Sequence, residues 1–312
     1  MIRRAVLLLG VTCAALAGAA DHAPLPMASR WTVPDQLQAD LTREPGDCLT
    51  APTDPAQARS IAIGAAAFRA PLLLGGQAAR SGLSCNSCHR AGHDNPAFSY
   101  PGLSGAPGTA DVTASLFSSH RGDSQFNPKP IPNLSGDKAL LKIDQSLLGG
   151  KLESFILGLI TQEFDGPTPS PAVLTGLTSY VRALSPQACR APARIDLAST
   201  LARIDTALDL ARRSAQNGDG ATAALLISAA RSQMQLIDER YPASLSRSAA
   251  PLRQAAARLG AIERQMTSDP AGALADLGRW RNAEPKWKRP LQVSEAKSLY
   301  NPPVLTRWLL PR

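Results

Sequence analysis

The chain has 312 residues, 44% of them hydrophobic, which supplies packed cores for two domains of ordinary size and excludes a disordered protein. Its formal charge of +8 is spread along the length rather than massed in a stripe, so no nucleic-acid partner is expected.

Residues 1–20 place Arg3 and Arg4 ahead of an apolar run from Ala5 to Leu16 and then the small residues Ala17-Gly18-Ala19-Ala20. That is the pattern of a secretory signal peptide cleaved near Ala20 or Asp21. The other reading is an uncleaved anchor, but the run falls short of the about 20 apolar residues a spanning helix needs. Cleavage removes two cations and no acid, leaving +6, and it also removes Cys13, whose neighbours Gly10-Val11-Thr12 fit lipidation poorly. The implied compartment is the bacterial periplasm, with no spanning helix in the mature chain.

Residues 21–54 are rich in proline and polar groups, show no sustained period and read as an extended N-terminal arm. Asp54 then Pro55 is a helix-start signal, and helix formers continue to Phe68. After the motif Cys85-Asn86-Ser87-Cys88-His89, the chain is loop-like to about Gly136, thick with Gly, Pro, Ser and Asn. So long a stretch in a compact domain is usually functional or wrapped around something. Helices are expected over 137–148 and 150–163, the second with Leu152, Phe155, Ile156, Leu159 and Ile160 on one side. Ser170 and Pro171 open another, which presents Val173, Leu177, Tyr180, Val181 and Leu184 on one face before Pro186 ends it.

Residues 192–282 are Ala- and Arg-rich, without Cys or His, and form three seams: Leu197 to Ala215, Ala223 to Tyr241 and Leu252 to Met266. Narrow seams broken at Asn217-Gly218-Asp219-Gly220 and at Pro242 predict an antiparallel helical hairpin or small bundle. Residues 283–312, with Trp287, Trp308 and a basic excess, read as an extended tail on a surface. The fold class is therefore all-α: a helical domain with long loops over 55–190, a helical domain over 192–282 and an extended tail.

Cys-x-x-Cys-His is the attachment motif of a c-type haem: two thiols three positions apart add to the vinyl groups of one porphyrin, and the adjacent histidine ligates the iron. Its rivals are a zinc site and a redox dithiol. A structural zinc site needs four ligands, and besides His93 no second cluster is in sight. A thioredoxin-like dithiol needs a βαβ context, whereas this motif follows a helix and enters a loop. Cys48 and Cys189 bracket this region, and in an exported chain they are expected to pair; two unpaired thiols are the alternative. The bridge would close about 140 residues and stabilise by roughly 4 kcal/mol in a chain-entropy account whose mechanism is disputed.

With Gly64-Ala65-Ala66-Ala67-Phe68, Leu83-Ser84-Cys85-Asn86-Ser87-Cys88-His89 and Leu174 to Leu184, the stretch from about 55 to 185 resembles a class I-type cytochrome c domain. It shares features with the di-haem cytochrome c peroxidase group. The resemblance implies crossed first and last helices beside one covalent haem c, with Cys85, Cys88 and His89 in its attachment and proximal positions. Two departures stand out: no methionine lies between Met27 and Met234, and there is a single Cys-x-x-Cys-His where the di-haem enzymes carry two.

The sixth iron ligand would come from His93, His120, Met234, Met266 or His22; His93 is too near His89 in sequence to reach the opposite face easily. His120, deep in the loop, is the candidate distal residue, beside the reading of an open or water-filled position. Both helical methionines occupy seam positions, where core packing is the default. Arg80, Arg90 and Arg121 are the nearest candidate partners for the haem propionates, or else solvated surface groups.

The functions in contention are electron transfer to a redox partner protein, acidic or membrane-associated, and a peroxidase-like haem enzyme or ligand-binding protein with an open or His-ligated distal site. A third makes 192–312 the working module, anchored to a partner or membrane through Trp287 and Trp308.

Overall fold

The computed structural model describes residues 30–310 other than Ser115 and Leu147. The expected signal peptide and His22 lie outside the described residues. The chain is mostly helical, with two minimal antiparallel strand pairs, β1 (Arg43–Glu44) with β4 (Ala193–Arg194) and β2 (Thr109–Ala110) with β3 (Lys129–Pro130).

Helix α1 (Leu37–Thr42) precedes α2 (Pro55–Phe68), which starts where Asp54 accepts hydrogen bonds from the backbone N–H of Ala56 and Gln57 with Pro55 at the first helical position. Short helical turns α3 (Pro71–Leu74), α4 (Gly76–Arg80) and α5 (Cys85–Cys88) follow. After the long loop come α6 (Lys151–Gly158), continued by a π turn at Leu159–Glu163, and α7 (Pro171–Ala183), capped by Ser170. Helices α2 and α7 touch backbone to backbone. A Cβ on Gly64 would lie 1.9 Å from the Gly176 carbonyl oxygen, so only glycine admits this approach. Ile61, Ile63, Ala67 and Phe68 then bury against Val173, Leu177, Tyr180 and Val181, the face expected for the closing helix.

Beyond Asp196, which caps it together with Ser199, α8 (Leu197–Gln216) pairs with α9 (Gly220–Glu239) through a turn at Gly218, whose φ of +80° is open to glycine at no steric cost. Helices α10 (Ser246–Gln265) and α11 (Pro270–Asn282) complete the expected bundle. Leu201, Ile204, Leu208, Ile227, Met234, Ile237, Leu252 and Leu259 line its interior. One buried cluster runs from Cys48 through the α2–α7 crossing into α8–α11, so the part that carries the Cys-x-x-Cys-His motif and the bundle share a continuous core. Among the described residues no helix is long and apolar enough to cross a membrane.

Four expectations are corrected. Residues 283–312 are not extended: α12 (Pro285–Ser294) and α13 (Pro302–Leu309) form there, because Pro285 and Pro302 sit at first helical positions, where a missing N–H costs nothing. Trp287 is 2% exposed against Trp280, which removes it as a surface anchor. The arm over 21–54 is not wholly extended either, since α1 packs Leu41 against Leu299 and Leu305. Among the described residues of 137–148 no α-helix forms; a 3-10 turn at Lys138–Leu140 stands in its place. Ile143 packs against the core but none of the described residues of that stretch is fully buried, Leu140 being 83% exposed, and a short helix with so little buried face is marginal in water.

The loop after His89 encloses a core of its own. Phe98, Tyr100, Leu103, Phe117 and Ile131 are buried with Leu74 and Leu83, and Trp31 stacks on Tyr100 at 4.0 Å.

Replacing Gly64 by alanine should destabilise the fold by about 3 kcal/mol in equilibrium unfolding, because the new methyl group meets backbone that cannot give way. Gly158→Ala, with nothing within 4 Å of its Cβ, should instead stabilise by about 0.5 kcal/mol through the unfolded chain.

Candidate functional site

The Cys85–Cys88 turn is built by its flanking serines. The Ser84 side chain accepts from the N–H of Ser87, whose hydroxyl accepts from the Ser84 N–H at 3.0 Å, and this reciprocal pair nucleates one helical turn. The backbone N–H of His89 closes the turn on the Cys85 carbonyl at 2.9 Å. Two side-chain amides brace it. Asn86 Oδ1 accepts from the Ala91 N–H at 3.0 Å, and Asn95 Nδ2 donates to the Ser87 carbonyl at 2.9 Å. The chain then reverses through Ala91 and Gly92 at φ +51° and +87°, and a Cβ on Gly92 would meet the Leu184 side chain at 2.6 Å. The end of α7 is thereby seated directly behind the motif.

Both cysteines pack against buried clusters. Cys85 packs against both buried clusters and Cys88 against the loop's own cluster. Burial pushes both thiols up to about 12, so they are neutral at physiological pH. A reactive exchange dithiol needs the opposite shift, toward thiolate.

The half-buried His89 ring lies with Nδ1 3.0 Å from the Pro132 carbonyl oxygen. A carbonyl only accepts, so Nδ1 carries the hydrogen and Nε2 presents its lone pair. Burial lowers the pKa of this imidazole to about 4, keeping it neutral. A neutral imidazole, its far nitrogen tied to a carbonyl, is what a metal ligand requires. The donor set therefore fits a covalent haem: two thiols three residues apart on one turn, and beside them a histidine with its tautomer selected. Among the described residues, Cys85, Cys88 and His89 do not join further Cys, His, Asp or Glu ligands in one cluster, which speaks against a four-ligand zinc site.

The other predicted residues are spread over the molecule. Arg90 is engaged by the Asp40 carboxylate and donates to the Arg43 carbonyl at 2.9 Å, clamping the arm to the motif. Arg80 bonds its helix neighbour Gln77 at 3.1 Å, and Arg121 pairs with Glu163 at 2.9 Å. The His120 side chain is 63% exposed, with Nε2 3.9 Å from Asp165. Both ring nitrogens of His93 have partners, Nε2 near Gly46 O and Cys48 Sγ, and Nδ1 near Ser135 Oγ. Met234 and Met266 are buried in the bundle at 1% and 0% exposure, as core residues. Cys48 and Cys189 form the expected disulfide.

Pro132, Asn86, Asn95 and Asp40 escape the sequence reading. The Ser84-x-x-Ser87 spacing carries a readable capping signal, whereas the carbonyl of Pro132, 43 residues from His89, carries none. Comparison with family models, curated proteins and solved structures finds no match.

His89 is neutral in the fold with a pKa below its ordinary 6.5, so the unfolded chain takes up more protons as pH falls. The polypeptide by itself should accordingly have its full His89 contribution above about pH 6.5 and lose it progressively down to about 4. Denaturant titrations across that window should show a shallower acid-side loss for His89→Asn than for the unsubstituted chain.

Proposed function

We propose that this chain is an exported c-type cytochrome, in which Cys85 and Cys88 hold one haem by thioether bonds, His89 ligates its iron through Nε2 and the protein passes single electrons to a partner. The hydrogen bond from His89 Nδ1 to the Pro132 carbonyl carries the reading, because it selects the tautomer that a metal ligand needs and that a thiol-exchange site has no use for. When bound, the haem supplies a one-electron iron couple.

The chain's own residues do the rest. Pro132 orients the imidazole and raises its basicity, and burial keeps Nε2 free of a proton. Ser84 and Ser87 hold the turn that sets the sulfur spacing, and Asn86 and Asn95 keep the following reversal in register. The net positive charge favours an acidic or membrane-associated redox partner, and the signal-peptide pattern of residues 1–20 favours the periplasm as compartment.

A second reading, a peroxidase-like enzyme or ligand-binding haem protein, draws support from the distal candidates. Both ring nitrogens of His93 are engaged, Met234 and Met266 are core residues, and His120 is an exposed group beside Asp165.

The purified exported protein should carry one haem that stays with the denatured chain, and the Cys85→Ala/Cys88→Ala double variant should lose it. Electron transfer predicts reversible reduction and a ferrous spectrum indifferent to carbon monoxide. Protein that never acquires haem would sink the cytochrome reading. Ready binding of carbon monoxide would select the second one, and a spectral change in His120→Ala would then place that residue at the iron.

A further inference from the structure

One cluster of chemistry-bearing side chains stands apart from the motif: Cys48, His93 and Cys189, whose Sγ and ring nitrogen atoms lie within 4.8 Å of one another. The two sulfurs of the disulfide are unequal. Cys48 is fully buried, whereas Cys189 is exposed in the irregular stretch between α7 and β4. His93 Nε2 lies 3.2 Å from the buried sulfur and 3.1 Å from the Gly46 carbonyl oxygen. Because that carbonyl only accepts, Nε2 carries a hydrogen, and the same N–H faces Cys48 Sγ. Behind the ring, Ser135 Oγ lies 3.3 Å from Nδ1 and 2.7 Å from Asn133 Oδ1, and its single O–H is given to one of these two acceptors at a time. A bridge that only staples the fold gains little from a polar N–H aimed at its buried sulfur. A leaving thiolate gains a great deal, since hydrogen bonds to charged groups are the strong ones.

We infer that Cys48–Cys189 is a thiol–disulfide exchange centre, opened by a dithiol reductant at the exposed Cys189 with His93 stabilising Cys48 as the leaving group. One thiolate of the dithiol attacks Cys189 Sγ. A bond forms between those two sulfurs, the Cys48–Cys189 bond breaks, and its electron pair leaves on Cys48 Sγ under the His93 N–H. The second thiol of the reductant, as thiolate, then attacks its partner sulfur and releases Cys189. The dithiol departs as a disulfide, having given up two electrons and two protons, and Cys48 and Cys189 are left as thiols.

The reduced pair stays in place for reoxidation. Ser185 N–H donates to the Cys48 carbonyl at 2.8 Å, and Arg190 N–H to that of Asp47 at 3.4 Å. A Cβ on Gly46 would lie 2.1 Å from the Arg190 carbonyl oxygen, so the two segments are packed together independently of the bridge. The exchange centre works in the same way whether or not Cys85 and Cys88 hold a haem.

The test is the rate at which dithiothreitol opens the bridge in the native, purified protein, followed by alkylation and peptide mass analysis, with circular dichroism confirming the fold. His93→Phe keeps a ring and loses the N–H, and it should slow opening about tenfold, the scale of one charge-assisted hydrogen bond. His93→Gln, which retains an N–H, should keep more of the rate. A merely structural His93 predicts the opposite sign, a loosened bridge that opens faster, and an equal or faster rate in His93→Phe overturns the inference. On the unsubstituted protein, glutathione followed by an alkylating quench should leave glutathione on Cys189 and alkyl on Cys48. The reverse labelling, or a bridge that opens only after unfolding, overturns it as well.

Discussion

Two glycines let α2 and α7 meet backbone to backbone, and the remainder of the molecule is arranged around that contact. At Gly64 and Gly176 any side chain would occupy space that the opposing main chain already fills, so the approach distance is set by sterics rather than by adjustable packing. Phe68 and Tyr180, with ring centroids 5.0 Å apart, fall into place on one side of the crossing. At the far end of α7, Leu184 lies against Gly92, and the reversal that follows His89 is pinned there. The position of the motif is thus inherited from a crossing of two helices that contain none of its residues.

The crossing also joins the two halves of the chain. Its buried face continues into α8 and α9, so bundle and motif share one core instead of meeting as separate bodies. Chain ends are used for the same purpose: α1 lies against α13 and the turn before it through Leu41, Leu305 and Leu299, and Arg90 clamps α1 to the motif through Asp40. The Cys48–Cys189 bridge closes a separation of 141 residues across this assembly. The loop after His89 has few regular elements, yet it is ordered by an aromatic cluster of its own, from Trp31 through Tyr100 to Phe117 and Phe164. Cys88 sits at the edge of that cluster, and Cys85 lies between it and the core of the α2–α7 crossing.

The electrostatic character of the motif follows from burial. The same desolvation that raises the thiols lowers the imidazole, because each is disfavoured in its charged form. The result is a set of neutral donors rather than an activated nucleophile. Cys48 differs, with a hydrogen-bond donor at its sulfur and a bonded partner open to solvent. Two cysteine pairs in one chain are therefore set up for different chemistry by what surrounds them.

Periodicity and capping made the helices legible in the sequence by itself: α2 from Asp54 and Pro55, α7 from Ser170 and Pro171, and the bundle seams from apolar residues at steps of three and four. These signals are local, carried by hydrogen bonds and faces within a few turns of chain. The Cys-x-x-Cys-His spacing was legible for the same reason, and the Cys48–Cys189 pairing followed from composition and context. Only the tertiary structure decided that 283–312 would be helical, since its prolines break a helix or begin one according to where Trp287 and Leu291 find a core. Only it could set Pro132 behind His89 and His93 behind Cys48, because those partners lie 43 and 45 residues apart along the chain and meet through loop paths that leave no periodic trace. A motif names its ligands through local spacing, whereas the groups that tune them are chosen by how distant backbone is packed.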